Sequence, residues 1–437
     1  MEWVIVIVFF LSVLIGLVIF GVPVAFAFFF TNVVTSIYYI GLDAGMANLI
    51  HSSYRSLATF TLTPIPFFVF MGQILFHSGL VMRVLDAFST VLGKIQARLS
   101  VLALGTGTLL SAMSGSAVAD TATLGSTLAP EMRRRGYHLK MIVGPIVAAG
   151  SFALIIPPST TAILLGSYAR ISVGDLLVGG IIPGLLLSVV TIFYYIGLGY
   201  MKPELAPIYD THQYSTMDKI KAIMFNAVPV SMLIVVVLGF IFSGIVTTTE
   251  SAAVGAMGAI VLAVLYRRIS IDVLLKSFLG TLKVTSMILL IIAAAAGFSQ
   301  LLAFTGASRG LVNSILSLEI APIVTIILMI IIVLILGTFI DPISIMMITI
   351  PLYMPIVIAL EFDVVWFGIL MLISMGLGNI TPPFGLLLFV IKGVLPDHVK
   401  ISEIYRSIIS VVIIQVIVIV VLIIFPIIVT FLPYLGR

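Results

Sequence analysis

The sequence has no cysteine and very little charge. None of its 437 residues is cysteine and only 9% are Asp, Glu, Lys or Arg, whereas 61% are hydrophobic. Without cysteine the chain can hold no disulfide, thiolate metal site, iron–sulfur cluster or cysteine nucleophile. A soluble domain needs more charge than this to stay in solution. These shortages exclude a soluble globular domain and every thiol-based enzyme.

The chain is rich instead in long apolar runs, and its mean hydropathy is +1.32. A run of about 18 apolar residues can cross a bilayer as a helix, which satisfies its own backbone hydrogen bonds. The alternating segments of about ten residues that mark an outer-membrane barrel do not dominate. The sequence therefore predicts an all-α polytopic membrane protein. Its predicted spans are residues 3–20, 22–40, 57–76, 141–169, 176–200, 223–244, 250–266, 284–303, 365–391 and 408–432.

Two further apolar regions, residues 99–130 and 322–356, are interrupted near their middles by small and polar residues and by an aspartate. Irregular backbone at membrane depth is tolerated where protein or water covers it. We therefore expect both regions to be re-entrant helical hairpins, each of which enters and leaves the membrane on the same side.

The distribution of basic residues supports this topology. With the N-terminus outside, sixteen Lys and Arg residues fall inside, and four fall clearly outside: Arg55, Arg170, Arg309 and Arg437. This bias follows the positive-inside rule, and complete spans in place of the hairpins would scramble it. The net charge of +4 is therefore a sign of membrane orientation rather than of nucleic-acid binding. We expect both termini to be periplasmic.

The second half of the sequence repeats features of the first. Asp120 has a counterpart 221 residues later in Asp341, and Pro157-Pro158 has one 225 residues later in Pro382-Pro383. Because the first hairpin opens from the cytoplasm and the second from outside, the repeats are inverted, as in many secondary transporters. The predicted units are a first repeat (1–201), a cytoplasmic linker (202–221) and a second repeat (222–437).

The first hairpin has a polar tip that suits an ion or a carboxylate. Gly115 allows the backbone to turn, and Ser114 and Ser116 supply hydroxyl oxygens of the kind that hard cations bind. The N-terminus of the following helix would favour a carboxylate. Asp120 is a functional candidate because a carboxylate inside the membrane is costly. It could bind a cation, bind a proton or cap the helix at Thr121, and the alternative for the whole segment is a polar tip packed by small residues.

The first broken helix contains Pro157, Pro158 and Ser159 inside an apolar span. Two successive prolines remove two N–H donors and interrupt the helix, so that carbonyl oxygens become available as ligands. A simple proline kink is the alternative interpretation.

The second half has the same pair of interruptions. Asn379 and Thr381 add side-chain oxygens beside the second Pro-Pro break. Either motif alone is weak evidence, but two pairs in inverted order indicate a transporter site. The candidate residues of this second site are Gly337, Thr338, Asp341, Gly378, Asn379, Thr381 and Pro382. Glu250, near the outer end of a span, is either functional or structural.

These motifs resemble the large membrane subunit of the tripartite ATP-independent periplasmic (TRAP) transporters over essentially the whole chain. The most specific pieces are Ser114-Gly115-Ser116-Ala117-Val118-Ala119-Asp120-Thr121-Ala122, Pro157-Pro158-Ser159, Thr381-Pro382-Pro383-Phe384-Gly385 and Gly21-Val22-Pro23-Val24-Ala25-Phe26-Ala27. The family often has Thr-Pro-Thr-Glu-Ala-Ala-Ala where this chain has Thr247-Thr248-Thr249-Glu250-Ser251-Ala252-Ala253. The glutamate is thus present, but the proline is missing.

The resemblance implies a sodium-coupled, elevator-type carrier of the bacterial inner membrane. It implies two partners: a small four-helix membrane subunit, expected as a separate chain, and a periplasmic binding protein. That protein would deliver a C4-dicarboxylate, a sialic acid or a similar carboxylate. Carried over by motif, Ser116 and Asp120 belong to the first ion site, and Asp341, Asn379 and Thr381 belong to the second. Sodium is the only bound ion implied, and no cofactor is expected.

Two other functions are considered. A stand-alone carboxylate or oxyanion transporter would have the same arrangement of hairpins and broken helices. An intramembrane aspartyl protease could use Asp120 and Asp341 as a proton-sharing pair, although proteolysis does not need the Pro-Pro breaks. The sequence also lacks a phosphate-binding Gly-x-x-x-x-Gly-Lys motif, so we expect ion coupling rather than ATP as the energy source, and no enzymatic activity.

Overall fold

The structure is a computed structural model that describes residues 2–93, 95–207, 215–318 and 320–435. This part of the chain consists of helices and connecting loops and contains no strand. Seven of its helical segments are long and apolar enough to cross a membrane. The prediction of an all-α polytopic membrane protein is confirmed.

The first half contains eleven α-helices and a short 3₁₀ turn at Phe60–Leu62. They are α1 (Glu2–Ile19), α2 (Val24–Ile40), α3 (Leu42–Leu57), α4 (Pro64–His77), α5 (Leu80–Val91), α6 (Arg98–Ser114), α7 (Ala117–Arg134), α8 (Leu139–Phe152), α9 (Thr160–Ala169), α10 (Val173–Gly179) and α11 (Ile181–Met201).

The second half also contains eleven α-helices, and a π-helical turn at Ile223–Ala227 joins the first two. They are α12 (Thr216–Ala222), α13 (Val228–Phe242), α14 (Thr248–Leu265), α15 (Ile271–Phe304), α16 (Ala307–Leu316), α17 (Pro322–Gly337), α18 (Pro342–Ala359), α19 (Val364–Gly378), α20 (Leu386–Val394), α21 (Ile401–Ile424) and α22 (Ile427–Leu435).

The helices have the interruptions that the sequence predicts. The first hairpin is α6–α7 and the second is α17–α18, and each is followed by a helix pair separated by a break, α8–α9 and α19–α20. The order of hairpin, broken helix and long helix therefore occurs twice. The limits of the repeats stay a prediction, and residues 208–214 of the predicted linker lie outside the described part, as do Lys94 and Arg437.

Four helices were not among the predicted spans: α3, α5, α16 and the short α12, which lies almost wholly in the predicted linker. The reason is that α5 and α16 are short and carry charged residues among apolar ones, while α3 contains Asp43, His51 and Arg55. A search for long apolar runs does not detect such helices. The predicted span 284–303 is also part of a longer helix, because α15 has 34 residues.

The helices pack into two groups. The scaffold group consists of α1–α5 and α12–α16, and the hairpin group consists of α6–α11 and α17–α22. In the scaffold group Phe10 stacks on Phe298 at 4.1 Å between ring centroids, and the buried Asn32 donates a hydrogen bond to Ala294 O (2.5 Å). In the hairpin group the indole Nε1 of Trp366 donates to Leu422 O at 2.8 Å. Polar side chains therefore fix helix pairs within each apolar core.

Candidate functional site

The tip of the first hairpin (tip 1, residues 114–116) turns at Gly115, whose φ of +58° suits a residue without a Cβ. Ser116 is the N-cap of α7, and its Oγ accepts a hydrogen bond from Ala119 N at 3.3 Å. Ser114 Oγ donates to Asp120 Oδ1 at 2.5 Å. The capping role therefore belongs to Ser116, and Asp120 instead holds the serine that closes tip 1.

Asp120 is 1% exposed, and its second oxygen, Oδ2, has no hydrogen-bond partner within the described residues. The hydroxyl of the neighbouring Thr121 is likewise buried and unpartnered there. A buried polar oxygen without a partner is costly, and a carboxylate more so. The free carboxylate oxygen of Asp120 is therefore suited to a bound cation or a proton.

The first Pro-Pro break (break 1, residues 153–159) is entirely buried. Its Pro157-Pro158 peptide bond is cis. Ser159 donates to Leu154 O (2.8 Å) across the break and caps α9 by accepting from Ala162 N (3.2 Å). Ser159 thus satisfies one carbonyl that the interrupted helix leaves free and starts the next helix.

Tip 1 and break 1 touch each other. The hydroxyl of Thr160 donates a hydrogen bond to Gly115 O at 2.9 Å. A Cβ added at Gly115 would lie 3.0 Å from Thr160 Cγ2, which shows how closely the two segments approach. The predicted residues of the first site are therefore brought together.

The tip of the second hairpin (tip 2, residues 337–341) is built differently. Asp341 is the N-cap of α18: Oδ1 accepts from Ile343 N (3.0 Å) and Ser344 N (3.1 Å), and Oδ2 accepts from the Ser344 hydroxyl. Thr338 Oγ1 donates to Ile335 O at 2.8 Å. Both carboxylate oxygens of Asp341 are thus engaged within tip 2, in contrast to those of Asp120.

The second Pro-Pro break (break 2, residues 379–385) presents a buried amide. Asn379 is 1% exposed, and its Oδ1 has no partner in the described part of the chain. Thr381 Oγ1 donates to Leu377 O at 2.6 Å, which leaves the hydroxyl oxygen able to accept or to bind a cation. The Pro382-Pro383 peptide bond is cis, as in break 1.

Tip 2 and break 2 also touch. Gly385 N donates to Thr338 O at 3.0 Å. The backbones of Gly337 and Gly378 pass so closely that a Cβ added at Gly378 would lie 2.6 Å from Gly337 Cα. Only glycine fits at both positions. The second predicted site is therefore also assembled from its hairpin and its broken helix.

The two sites share a wall where α8 and α19 end. A Cβ added at Gly376 would lie 3.0 Å from Ser151 O, and Gln415 Nε2 donates to Ser151 Oγ at 2.7 Å. Sequence reasoning did not select Thr160 or Gly385, which make the two tip–break hydrogen bonds. They are 225 residues apart, the same offset as the Pro-Pro pairs, so the repeat itself contained the signal.

The two breaks differ in exposure. Break 1 is buried throughout, whereas Pro383 and Phe384 in break 2 are exposed, Phe384 by 54%. Phe339 of tip 2 is 57% exposed and lies against Phe384, with ring centroids 5.5 Å apart. Break 1 is thus covered by protein, whereas break 2 carries exposed side chains next to tip 2.

Glu250 has a structural role. It forms a capping box with Thr247 at the start of α14: Glu250 Oε2 accepts from Thr247 N (2.7 Å), and Glu250 N donates to Thr247 Oγ1 (3.2 Å). The side chain is exposed at this helix end. Of the two interpretations of Glu250, its geometry favours the structural one.

Comparison with known proteins identifies relatives of this chain. The family described as "Tripartite ATP-independent periplasmic transporter, DctM component" matches residues 11–428. The C4-dicarboxylate TRAP transporter large permease protein DctM of Pseudomonas aeruginosa is 32% identical over 367 residues, 81% of this chain and 84% of that protein. The sialic acid TRAP transporter large permease protein SiaM of Vibrio cholerae is 28% identical, over 88% of this chain and 89% of that one.

The crystal structure of the YdaH transporter of Alcanivorax borkumensis superposes with a TM-score of 0.64 at 15% identity, covering 87% of this chain and 88% of that chain. This likeness concerns the fold. The relatives are named as transporter permeases, which confirms the expectation that this chain is not an enzyme. The aspartyl protease alternative is set aside accordingly.

Proposed function

The chain belongs to the DctM component family of the TRAP transporters, and from that premise we propose that it imports an organic acid by sodium symport. The substrate would be a C4-dicarboxylate, a sialic acid or a similar carboxylate. A periplasmic binding protein would deliver it, and a small four-helix membrane subunit, as a separate chain, would complete the permease in the inner membrane.

One observation carries this proposal: each hairpin tip contacts its own broken helix, and at each pair lies a buried oxygen that has no hydrogen-bond partner in the described part of the chain. These oxygens are Asp120 Oδ2 beside tip 1 and Asn379 Oδ1 in break 2. Hard cations bind carboxylate, amide, hydroxyl and carbonyl oxygens. A sodium ion at each position would satisfy them and would tie the tip to the break.

Sodium and substrate would be coupled because bound sodium helps to form the site for the substrate. Sodium bound between a tip and a break adds positive charge there, and beside tip 1 it adds to the N-terminus of α7, which itself favours an anion. The N-terminus of α18 is already capped by the Asp341 carboxylate. No Lys, Arg or His occurs between Arg309 and Lys392 or between Lys140 and Arg170. The carboxylate of the substrate would therefore depend on bound sodium and on the N-terminus of α7, and the hairpin group would carry sodium and substrate past the scaffold group.

The test is uptake into proteoliposomes that contain the chain, the small subunit and the binding protein. C4-dicarboxylates, sialic acid and other carboxylates are supplied with a sodium gradient or with potassium in its place. We expect uptake of one acid class that needs both sodium and the binding protein. Equal uptake in potassium would contradict the coupling, and uptake without the binding protein would favour a stand-alone transporter.

The site assignment is tested with Ser116→Ala and Asp341→Ala in the same system. We expect each to abolish sodium-dependent uptake while the complex still assembles. The matched control is Ser126→Ala, because Ser126 lies on the same hairpin helix as the Ser116 cap but is exposed and donates only to Thr123 O. Unchanged uptake with unchanged sodium dependence in the site variants would refute the assignment.

A further inference from the structure

Five basic residues lie on three elements that pack together at one end of the scaffold group, and we call them the basic rim. They are Arg83 on α5, Lys219 and Lys221 on α12, and Arg267 and Arg268 directly after α14. The positive-inside bias predicts that this end is cytoplasmic. Neither tip–break pair includes any of these residues, so the basic rim has no part in the transport site.

Direct contacts hold the three contributing elements together. The Tyr266 hydroxyl donates to Phe225 O, a carbonyl to which Pro229, four residues on, cannot donate. The Arg83 guanidinium lies 4.8 Å from the centre of the Tyr266 ring, and its Nη1 is 3.4 Å from Asn226 Oδ1. The end of α14, the π-helical turn and α5 are therefore fixed against one another, and the rim residues project from a defined surface.

The charge of the basic rim is not neutralised by ion pairs. Arg267, Arg268 and Lys221 are exposed, and within the described residues neither they nor Lys219 pairs with a carboxylate. Other basic residues at the predicted cytoplasmic end do form such pairs. Arg134, for example, lies 2.7 Å from Glu131.

The acids near the basic rim are few, and most are engaged elsewhere. Asp218 accepts from Ser215 in the capping box of α12, and Asp272 pairs with Lys276 at 2.7 Å. Asp86 lies one turn from Arg83 on α5, and Asp218 keeps its negative charge although Ser215 donates to it. Among the described residues the five basic side chains therefore face these two acids, and the surface has a net positive charge.

An exposed apolar stripe borders these cations. Met217, Ile220 and Met224 follow one face of the continuous α12–π segment and are 59%, 51% and 54% exposed, and Phe225 beside them is 66% exposed. Lys221 lies among these side chains, four residues from both Met217 and Phe225, and Lys219 lies on the opposite side of the helix. Lysines that border exposed apolar side chains are typical of a segment in the lipid headgroup region. The stripe can contact acyl chains while the cations remain at headgroup height.

We propose that the basic rim binds the phosphate of an anionic phospholipid, whose acyl chains lie along Met217, Ile220, Met224 and Phe225. Arg and Lys recognise phosphate by charge-assisted hydrogen bonds, and Arg can do so with two parallel bonds. The lipid would anchor the part of the scaffold group at which the two halves of the chain join. This site exists whether or not the chain is a sodium symporter, so its test is separate from that of transport.

The experiment measures lipid retention by native mass spectrometry of the purified, delipidated chain titrated with phosphatidylglycerol or phosphatidylcholine. We expect the anionic lipid to bind at least tenfold more tightly. Arg267→Gln with Arg268→Gln should weaken its binding by roughly 25-fold, at about fivefold for each cation removed. Both side chains are exposed, so this pair should leave the unfolding temperature unchanged.

Two controls separate a specific site from general charge. Arg134→Gln with Arg135→Gln removes the same charge from positions that pair with Glu131 at the end of α7 and should leave lipid binding as it is. Arg267→Lys with Arg268→Lys keeps the charge and should retain most of the binding. If the Gln pair disturbs the fold, Lys221→Gln on α12 makes the same test with an expected loss of about fivefold.

Three results would overturn the proposal: equal affinity for the two lipids, loss of binding in the ion-paired control to the same degree as in the Gln pair, or wild-type affinity in the Gln pair. Glycerol 1-phosphate is the soluble comparison. If it competes with the lipid at equal concentration, the site is for free phosphate compounds and the assignment to a lipid is wrong.

Discussion

Asp120 and Asp341 are counterparts in the two halves of the chain, but their hydrogen bonds differ. Asp120 accepts one hydrogen bond from Ser114 and keeps one oxygen unpartnered, whereas Asp341 uses both oxygens to begin α18. A buried carboxylate with a vacant oxygen gains more from a cation than one that is already satisfied by donors. We therefore expect the two residues to respond differently to loss of charge.

Asp120→Asn removes the charge and keeps the shape of the side chain. We expect it to raise the sodium concentration that gives half-maximal uptake by about tenfold, equivalent to ~1.4 kcal/mol. Asp341→Asn keeps an oxygen that can accept from Ile343 and Ser344, so its effect on the sodium requirement should be smaller. Sodium titrations of uptake for both variants provide the measurement, and identical titrations would contradict this distinction.

The amide of Asn379 allows a second residue-scale prediction. Asn379→Leu keeps the branched shape of the side chain but deletes the buried oxygen of break 2. If that oxygen binds sodium, uptake should fall at least tenfold, while removal of an unsatisfied polar atom should not lower thermal stability. Uptake and unfolding temperature are measured on the same preparation. A stable variant with normal uptake would exclude Asn379 from the site.

The sequence identifies the tip and break residues but does not separate ligands from caps. In the sequence both aspartates follow small and polar residues near a predicted hairpin tip, so the pattern fits either role. In the structure Asp120 lies in the first turn of α7, whereas Asp341 precedes α18. The distinction depends on the hydrogen-bond donors. Asp341 accepts from Ser344, which lies in the helix that Asp341 caps, whereas Asp120 accepts from Ser114, which lies on the other side of the tip. Such contacts depend on the conformation of the folded tip and cannot be inferred from spacing.

At the scale of elements, the backbones of α17 and α19 approach each other closely at Gly337 and Gly378. Gly378→Ala would place a Cβ 2.6 Å from Gly337 Cα, against backbone that cannot rotate away. We expect this variant to lose about 1–3 kcal/mol of stability and to lose uptake, because tip 2 would be pushed from break 2.

The matched control for Gly378→Ala is Gly393→Ala. Gly393 is also in a helix, α20, but a Cβ there would have no heavy atom within 4 Å. It should keep or slightly increase stability, since alanine favours helix over glycine. Unfolding temperatures and uptake rates of the two variants would be compared. If both behave alike, the close approach is not what constrains Gly378.

The elements that the sequence predicts are those that depend on strong local signals. A pair of prolines interrupts the helix between α8 and α9 and another between α19 and α20, whatever the surrounding packing. Gly115 allows the backbone of the first hairpin to turn. The helices α5 and α16 depend instead on packing against the scaffold and hairpin groups, and their short amphipathic sequences fall below the apolar length of a span. Their positions follow from tertiary contacts that no single segment specifies.

For the whole molecule, two hydrogen bonds join the hairpin group to the scaffold group through α9. Ser167 Oγ donates to Thr61 O at 2.8 Å, and the Tyr168 and Ser299 hydroxyls are 3.1 Å apart. If the hairpin group slides past the scaffold group, these bonds must break in each cycle. They therefore stabilise the conformation in which α9 lies against α15 and the Phe60–Leu62 turn.

Tyr168→Phe should accordingly favour departure from this conformation. A hydrogen bond contributes about 1 kcal/mol, so we expect the maximal uptake rate to rise by about fivefold if departure from this conformation limits the rate. Tyr353→Phe is the control, since its hydroxyl is buried in the hairpin group without a partner in the described residues. Uptake rates at saturating sodium test this, and equal effects of both substitutions would contradict a role for the α9 contacts.

The unequal exposure of the two breaks has a consequence for the rest of the cycle. Break 1 is buried, and break 2 is flanked by the exposed Phe339 and Phe384. The halves share one order of elements, so each can in principle adopt the arrangement now seen in the other. The halves are expected to be inverted. If the two breaks exchanged their exposure, a protein open toward one side of the membrane would therefore become open toward the other side. We therefore expect alternating access to require no third arrangement of either half.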